Sequence, residues 1–146
     1  MSNFYPSRLV DFCLHNAITP ALNQVECNPF HQQFEAQKTM QECNVAMQSW
    51  ASFGEGKNDI FTNPTIAQIA KNYNKSNAQV ILRWLIQRQI IVIPKTTNKE
   101  RIIENLNAFD FALNDKDMQT MASLESGNLF FSPTDVEMIK NAFIRR

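Results

Sequence analysis

The sequence predicts an α/β fold built on a parallel sheet, and three observations carry that prediction. Strand-like and helix-like segments alternate in the order β-α-β-α-β, with connections long enough for crossover helices. Ile90-Ile91-Val92-Ile93 is a continuous β-branched run, the pattern of a strand covered by helices on both faces. The segments between strands space their apolar residues at helical rather than alternating intervals.

Each element follows in order. Pro6 to Asn16 opens on a proline suited to a first helical turn and carries Leu9, Val10 and Cys13 on one face. A compact strand centres on Ala21-Leu22-Asn23-Gln24-Val25 and closes at Asn28-Pro29. Gln32 to Glu42 is rich in good helix formers, and Val45 to Trp50 reads as the second strand. Phe53 to Pro64 is rich in turn residues, followed by helices over Thr65–Tyr73 and Ser76–Arg88. The second of these begins Ser76-Asn77-Ala78-Gln79, a capping-box pattern, and aligns Ala78, Ile81, Leu82 and Leu85. After the Ile90–Ile93 strand, Ile102, Ile103, Leu106 and Phe109 form another helical stripe. Asn114 to Leu124 is a further helix, and Ser132-Pro133 opens a last one toward Phe143. About three strands are visible, few for a closed sheet.

Composition narrows the function classes. The 146 residues suit one domain, and 14 basic against 14 acidic side chains give no nucleic-acid-binding surface. At 44% hydrophobic and 10% aromatic the chain is a folding sequence. No run approaches the roughly 20 apolar residues of a membrane span, and the start MSNFYPSRLV lacks a secretory pattern. Cys13, Cys27 and Cys43 are odd in number without CxxC spacing, which suits free thiols in a reducing cytoplasm. No metal-ligand spacing is present.

The richest chemistry lies in VIPKTTNKERIIEN, residues 92–105. An apolar strand ends at Ile93-Pro94, and a helix begins a few residues later. A helix start presents unpaired N–H groups and a positive dipole end, so an anion is stabilised there. Asn98 or Thr97 can cap the helix, and Thr96 and Thr97 offer hydroxyls. Lys95 stands at the strand end and Arg101 in the first helical turn, where a guanidinium can bind phosphate through two parallel hydrogen bonds. Spacing alone allows two readings, a phosphate cradle or ordinary capping beside solvated charge. Neither a P-loop nor a GxGxxG turn occurs.

These residues, with others in order, resemble the aldo-keto reductases, (β/α)8-barrel enzymes that reduce aldehydes and ketones with NADPH. Ile93-Pro94-Lys95-Thr96 with Arg101 and Glu104-Asn105 is similar to that family's adenosine 2′-phosphate motif. Ser2-Asn3-Phe4, Asn23-Gln24-Val25-Glu26 with Asn28-Pro29, and Ser49-Trp50 resemble the ends of its fifth, sixth and seventh strands. Ala78–Trp84 and Phe109–Leu113 resemble the segments flanking its eighth strand and helix.

The resemblance implies an α/β fold that is a partial TIM barrel, from the end of strand five through strand eight plus the C-terminal helices. Residues 1–128 would form the half-barrel and 129–146 a tail. It also assigns roles. Ser2, Asn3 and Gln24 would bond the nicotinamide carboxamide, and Trp50 would stack on its ring. Ser52 and Phe53 would lie along the pyrophosphate. Lys95, Thr96 and Arg101, with Thr97 and Asn98 beside them, would hold the 2′-phosphate and favour NADPH over NADH. Glu104 and Asn105 would face the adenine. Leu129-Phe130-Phe131 would line the substrate side or serve packing.

The family's Asp, Tyr, Lys and His lie on earlier strands, upstream of the segment that Ser2-Asn3-Phe4 matches. As stand-ins, Tyr5 and Tyr73 read as surface or packing tyrosines, His15 as a helix-end residue and His31 as the start of the next helix. The expectation is therefore no catalytic residue here and no turnover alone. The chain would be a C-terminal portion that keeps the NADPH-binding residues for a small-molecule carbonyl substrate. Its uncovered edges would be buried by self-association or by an N-terminal half-barrel. The alternative is a non-catalytic NADPH-binding or protein-interaction module.

Overall fold

The computed structural model describes residues 1–130, 132 and 134–144. The chain opens with Ser2 bridging in parallel to Gln24, then forms α1 (Pro6–His15), whose proline supplies the first helical turn. The next elements are β1 (Leu22–Glu26), α2 (Phe34–Glu42) and β2 (Ala46–Trp50). A turn-rich loop leads to α3 (Pro64–Tyr73) and α4 (Asn77–Gln87), followed by β3 (Ile91–Val92) and α5 (Lys99–Leu106). Two more helices, α6 (Asp115–Ala122) and α7 (Val136–Ile144), complete the order. The three strands form one sheet in the order β1-β2-β3, parallel throughout.

Side-chain caps set the helix starts. Asn63 accepts from the Thr65 and Ile66 amides at 3.0 and 3.1 Å, and Asn114 accepts from Asp117 N at 2.8 Å. The capping box of α4 is complete, with Ser76 Oγ accepting from Gln79 N and Gln79 Oε1 accepting from Ser76 N. That helix buries Val80, Ile81, Leu82, Trp84 and Leu85. Of these, Val80, Ile81, Trp84 and Leu85 meet Val25, Met47 and Ile90 from the sheet side and Ala36 and Met40 from α2 in one continuous core. Arg88, at the end of α4, stacks its guanidinium over Phe34 and Trp84 at 4.2 and 4.6 Å. It also donates to Gln32 O at 2.7 Å and Gln37 Oε1 at 2.8 Å, tying α4 to α2.

The sheet is covered on one face only, which corrects the expectation for Ile90–Ile93. Asn23, Val25, Met47, Ser49 and Ile90 are buried toward the helices, whereas Ile91 and Ile93 are 43% and 49% exposed. A β-branched run is compatible with a doubly covered strand, but only a second layer could bury both faces. Among the described residues none lies there. The stripe Ile102, Ile103, Leu106 and Phe109 forms as a helical face yet is also exposed, and α5 buries no residue. His31 does not start a helix. It pairs its backbone with Asn28 in a tight turn, N–H to O at 3.1 Å, and α2 begins three residues later. Phe131 and Pro133 lie outside the described residues.

No described helix is long and apolar enough to cross a membrane. The three cysteines are free.

Candidate functional site

The C-terminal strand ends and the loops after them gather most of the residues singled out above into three adjoining regions. The first is built on the fully buried Asn23, whose side chain donates to Phe4 O at 2.8 Å and accepts from Phe4 N at 3.3 Å. This clamp fixes the turn that carries Ser2 and Asn3. Asn3 takes a left-handed backbone, φ 57°, which asparagine tolerates better than most residues. Its N–H donates to Gln24 O at 2.8 Å, and Ser2 Oγ donates to the same carbonyl at 3.1 Å. Trp50 Nε1 donates to Asn3 Oδ1 at 2.9 Å. Gln24 Nε2 donates to Gln48 Oε1 at 2.6 Å. Ser2, Asn3, Gln24 and Trp50 thus form one hydrogen-bonded surface at the open face of the sheet.

The second region follows β2. The loop from Ala51 to Asp59 repeatedly enters left-handed backbone, at Ala51, Gly54, Glu55, Gly56, Asn58 and Asp59. It curls around a cleft of about 320 Å³ bounded by Ala51, Ser52, Phe53, Gly56, Ile93 and Lys95. Ser52 is buried, and its hydroxyl shares a 2.7 Å hydrogen bond with Ser49 Oγ. Its side chain therefore serves the loop's anchorage, leaving the backbone and Phe53 at the cleft.

The third region adjoins it through Phe53, Phe61 and Lys95. A cleft of about 330 Å³ is lined by Lys95, Thr96, Arg101, Glu104 and Asn105 from the motif, with Ser76-Asn77-Ala78 opposite. Asn98 is the α5 cap and accepts from Glu100 N at 2.8 Å and Arg101 N at 3.3 Å. Its own N–H donates to Thr96 Oγ1 at 3.1 Å. The cap thus occupies two helix-start amides, Glu100 N and Arg101 N, and the Lys95 and Arg101 side chains line the cleft beside it. Thr97 is exposed and does not line the cleft. The Glu104 carboxylate accepts from Ser76 Oγ, and its backbone carbonyl accepts from Gln79 Nε2 at 3.0 Å. Glu104 therefore braces α5 against the start of α4. The cleft thus carries two cations, Lys95 and Arg101, and one carboxylate that is bonded to Ser76.

Other ionisable groups lie elsewhere. Tyr73 donates to Asp117 Oδ2 at 2.7 Å, accepts from Asn114 N at 3.0 Å and packs on Phe111. His15 is exposed beside Asp11 on α1. His31 lies under the tail segment, and burial pushes its imidazole below the ordinary range against the opposing pull of Glu26 and Glu125. Glu26 accepts from Phe130 N at 2.9 Å, holding the tail at the end of β1. Leu129 and Phe130 approach there, while Phe131 lies outside the described residues. Among the described residues no group of three His, Cys, Asp or Glu could hold a metal.

Sequence reasoning assigned no role to Asn23, Gln48 or Phe61. The two-residue period of β1 was the available signal for Asn23, since it places that polar side chain beside Val25 toward the helices. Gln48 had none, because its meeting with Gln24 depends on strand register.

Comparison with known proteins bears on the family and the fold. A family model described as "Aldo/keto reductase family" matches residues 1–126. Aldose reductase B of Dictyostelium discoideum is 41% identical over 126 residues, covering 86% of this chain and 40% of that one. The 9,11-endoperoxide prostaglandin H2 reductase of Trypanosoma cruzi is 41% identical over 125 residues, covering 85% and 44%. An aldo-keto reductase from a Medee basin deep-sea metagenome library superposes with a TM-score of 0.87 at 34% identity, covering 92% of this chain and 50% of that one. An aldo-keto reductase complexed with NADPH gives 0.82 at 30%, covering 90% and 43%. The chain spans about half the length of the relatives it matches, or somewhat less.

Proposed function

We propose that this chain, which belongs to the aldo/keto reductase family, binds NADPH and supplies the cofactor-holding part of a site that reduces aldehydes or ketones. The observation that carries this reading is the convergence of Lys95, Thr96, Arg101 and Asn105 on one cleft. Through Phe53, Phe61 and Lys95 it adjoins the cleft of the loop after β2, whose lining begins at Ala51, next in sequence to Trp50. The donor set fits the cofactor: cations for a 2′-phosphate, amides for a carboxamide, and an indole to stack on a flat ring. When bound, NADPH supplies the hydride. The chain's own residues orient it, Trp50 offering one face of the ring and Lys95 and Arg101 anchoring the far end.

The proton for a carbonyl oxygen must come from a general acid. Tyr73 is engaged by Asp117 and Asn114, which supports the reading that this portion does not turn over substrate by itself. The open sheet face and the exposed α5 stripe support a further part of the proposal. This surface would be covered by a second copy or by a separate N-terminal half-barrel. The free cysteines suit a cytoplasmic setting.

Titration with NADPH and NADH, followed by tryptophan quenching, tests the cofactor reading. NADPH is expected to bind at least about tenfold more tightly, since each charge-assisted phosphate contact contributes roughly 1.5–3 kcal/mol. Equal affinities would overturn the assignment of Lys95 and Arg101. An NADPH-absorbance assay over a panel of aldehydes should give no turnover, and robust turnover would refute that part.

A further inference from the structure

Two side-chain amides face the proposed nicotinamide end, and each is turned by a neighbour. Trp50 Nε1 donates to Asn3 Oδ1, which leaves Asn3 Nδ2 as the group with protons to offer. Gln24 Nε2 donates to Gln48 Oε1, which leaves Gln24 Oε1 as an acceptor. Gln24 and Gln48 are direct partners in the β1–β2 register, half-buried on the face that the helices leave open. A primary carboxamide carries one acceptor oxygen and one donor NH2. Asn3 Nδ2 and Gln24 Oε1 form the complementary pair. With the Gln24 amide reversed, its NH2 would confront the ligand's NH2, leaving a donor unpaired.

We propose that Gln48 is a positioning residue of the cofactor site, its side-chain carbonyl holding the Gln24 amide in the orientation that accepts from a carboxamide NH2. This rests on the NADPH reading above. It differs from a packing role because it depends on the polarity of residue 48, not on its bulk.

Variants that can only accept or only donate separate the two roles. Gln48→Glu can only accept from Gln24, whereas Gln48→Lys can only donate and would draw Gln24 Oε1 away. The measurement is the ratio of affinities for NADPH and for its reduced 3-acetylpyridine analogue, whose methyl ketone offers no NH2. Wild type and Gln48→Glu should prefer NADPH by about tenfold, the scale of one unsatisfied polar group. Gln48→Lys should lose the preference, while all three bind adenosine 2′-phosphate equally, a control for folding and for the distant cleft. A full preference in Gln48→Lys, or its loss in Gln48→Glu, would overturn the role of Gln48 alone. Failure of the wild-type chain to bind NADPH would instead overturn the cofactor reading and this inference with it.

Discussion

Cys27 shows how far burial governs a single residue. It is fully buried beneath the β1 strand end and donates to Gln32 O at 3.5 Å. Loss of solvent pushes its thiol from an ordinary 9.0 up to about 12, against the lowering influence of Arg88. Its folded pKa is the higher one, so the unfolded chain releases this proton first. The stability tied to Cys27 is therefore complete below pH 9 and is lost as pH rises toward 12. Urea midpoints at pH 8 and pH 10 should fall for wild type and fall less for Cys27→Ala, by up to about 1.4 kcal/mol per pH unit. Parallel shifts would dismiss the effect. At the cleft, Arg101→Met should weaken NADPH binding about 10- to 100-fold and leave NADH nearly unchanged, because the proposed function gives that guanidinium the 2′-phosphate alone. Isothermal titration with both cofactors reads this directly.

At the scale of elements, the sequence was informative wherever a local device sets a boundary. Asn63, Ser76, Asn98 and Asn114 all cap their helices through their side chains. Ser76 does more than close its own capping box, since its hydroxyl also donates to Glu104 on α5. Ser76→Ala should therefore exceed a typical cap loss and cost about 2 kcal/mol or more in denaturant unfolding. Ser76→Thr, which keeps the hydroxyl, should recover most of it. A loss of only about 1 kcal/mol, that of an ordinary cap, would mean that the Ser76–Glu104 link contributes nothing. β3 was legible as a strand but not in its extent or cover. Only Ile91 and Val92 pair with β2, because a strand's length depends on its neighbour as well as on its own residues.

For the whole molecule the decisive feature is the uncovered surface. Ile91 and Ile93 on the sheet and Ile102, Ile103, Leu106 and Phe109 beside it are all more than 40% exposed. Val10, Leu14 and Ile18 are also exposed, on and just after α1, which lies at the opposite edge. Apolar area of this extent favours association, at roughly 25 cal/mol per Å² removed from water. Sedimentation velocity should show concentration-dependent self-association that Ile103→Glu with Leu106→Glu suppresses. A monomer at every concentration, with cooperative melting, would count against it.

The sequence by itself determined the parallel α/β class, the capping box at Ser76 and the motif at residues 92–105. These are written in local signals: periodicity, turn chemistry and charge within a few residues. Its ordered landmarks also pointed to the family that the comparisons identify. Only the tertiary structure decided how the motif's residues divide their work. Asn98 spends its side chain on a helix cap, Ser52 on the buried Ser49, and Glu104 on Ser76, while Lys95 and Arg101 remain at the cleft. It alone brought Gln48 to Gln24 and Trp50 to Asn3, contacts spanning 24 and 47 residues of chain. Hydrogen-bond polarity at such a site depends on which side chains strand register sets face to face, and no local pattern encodes that.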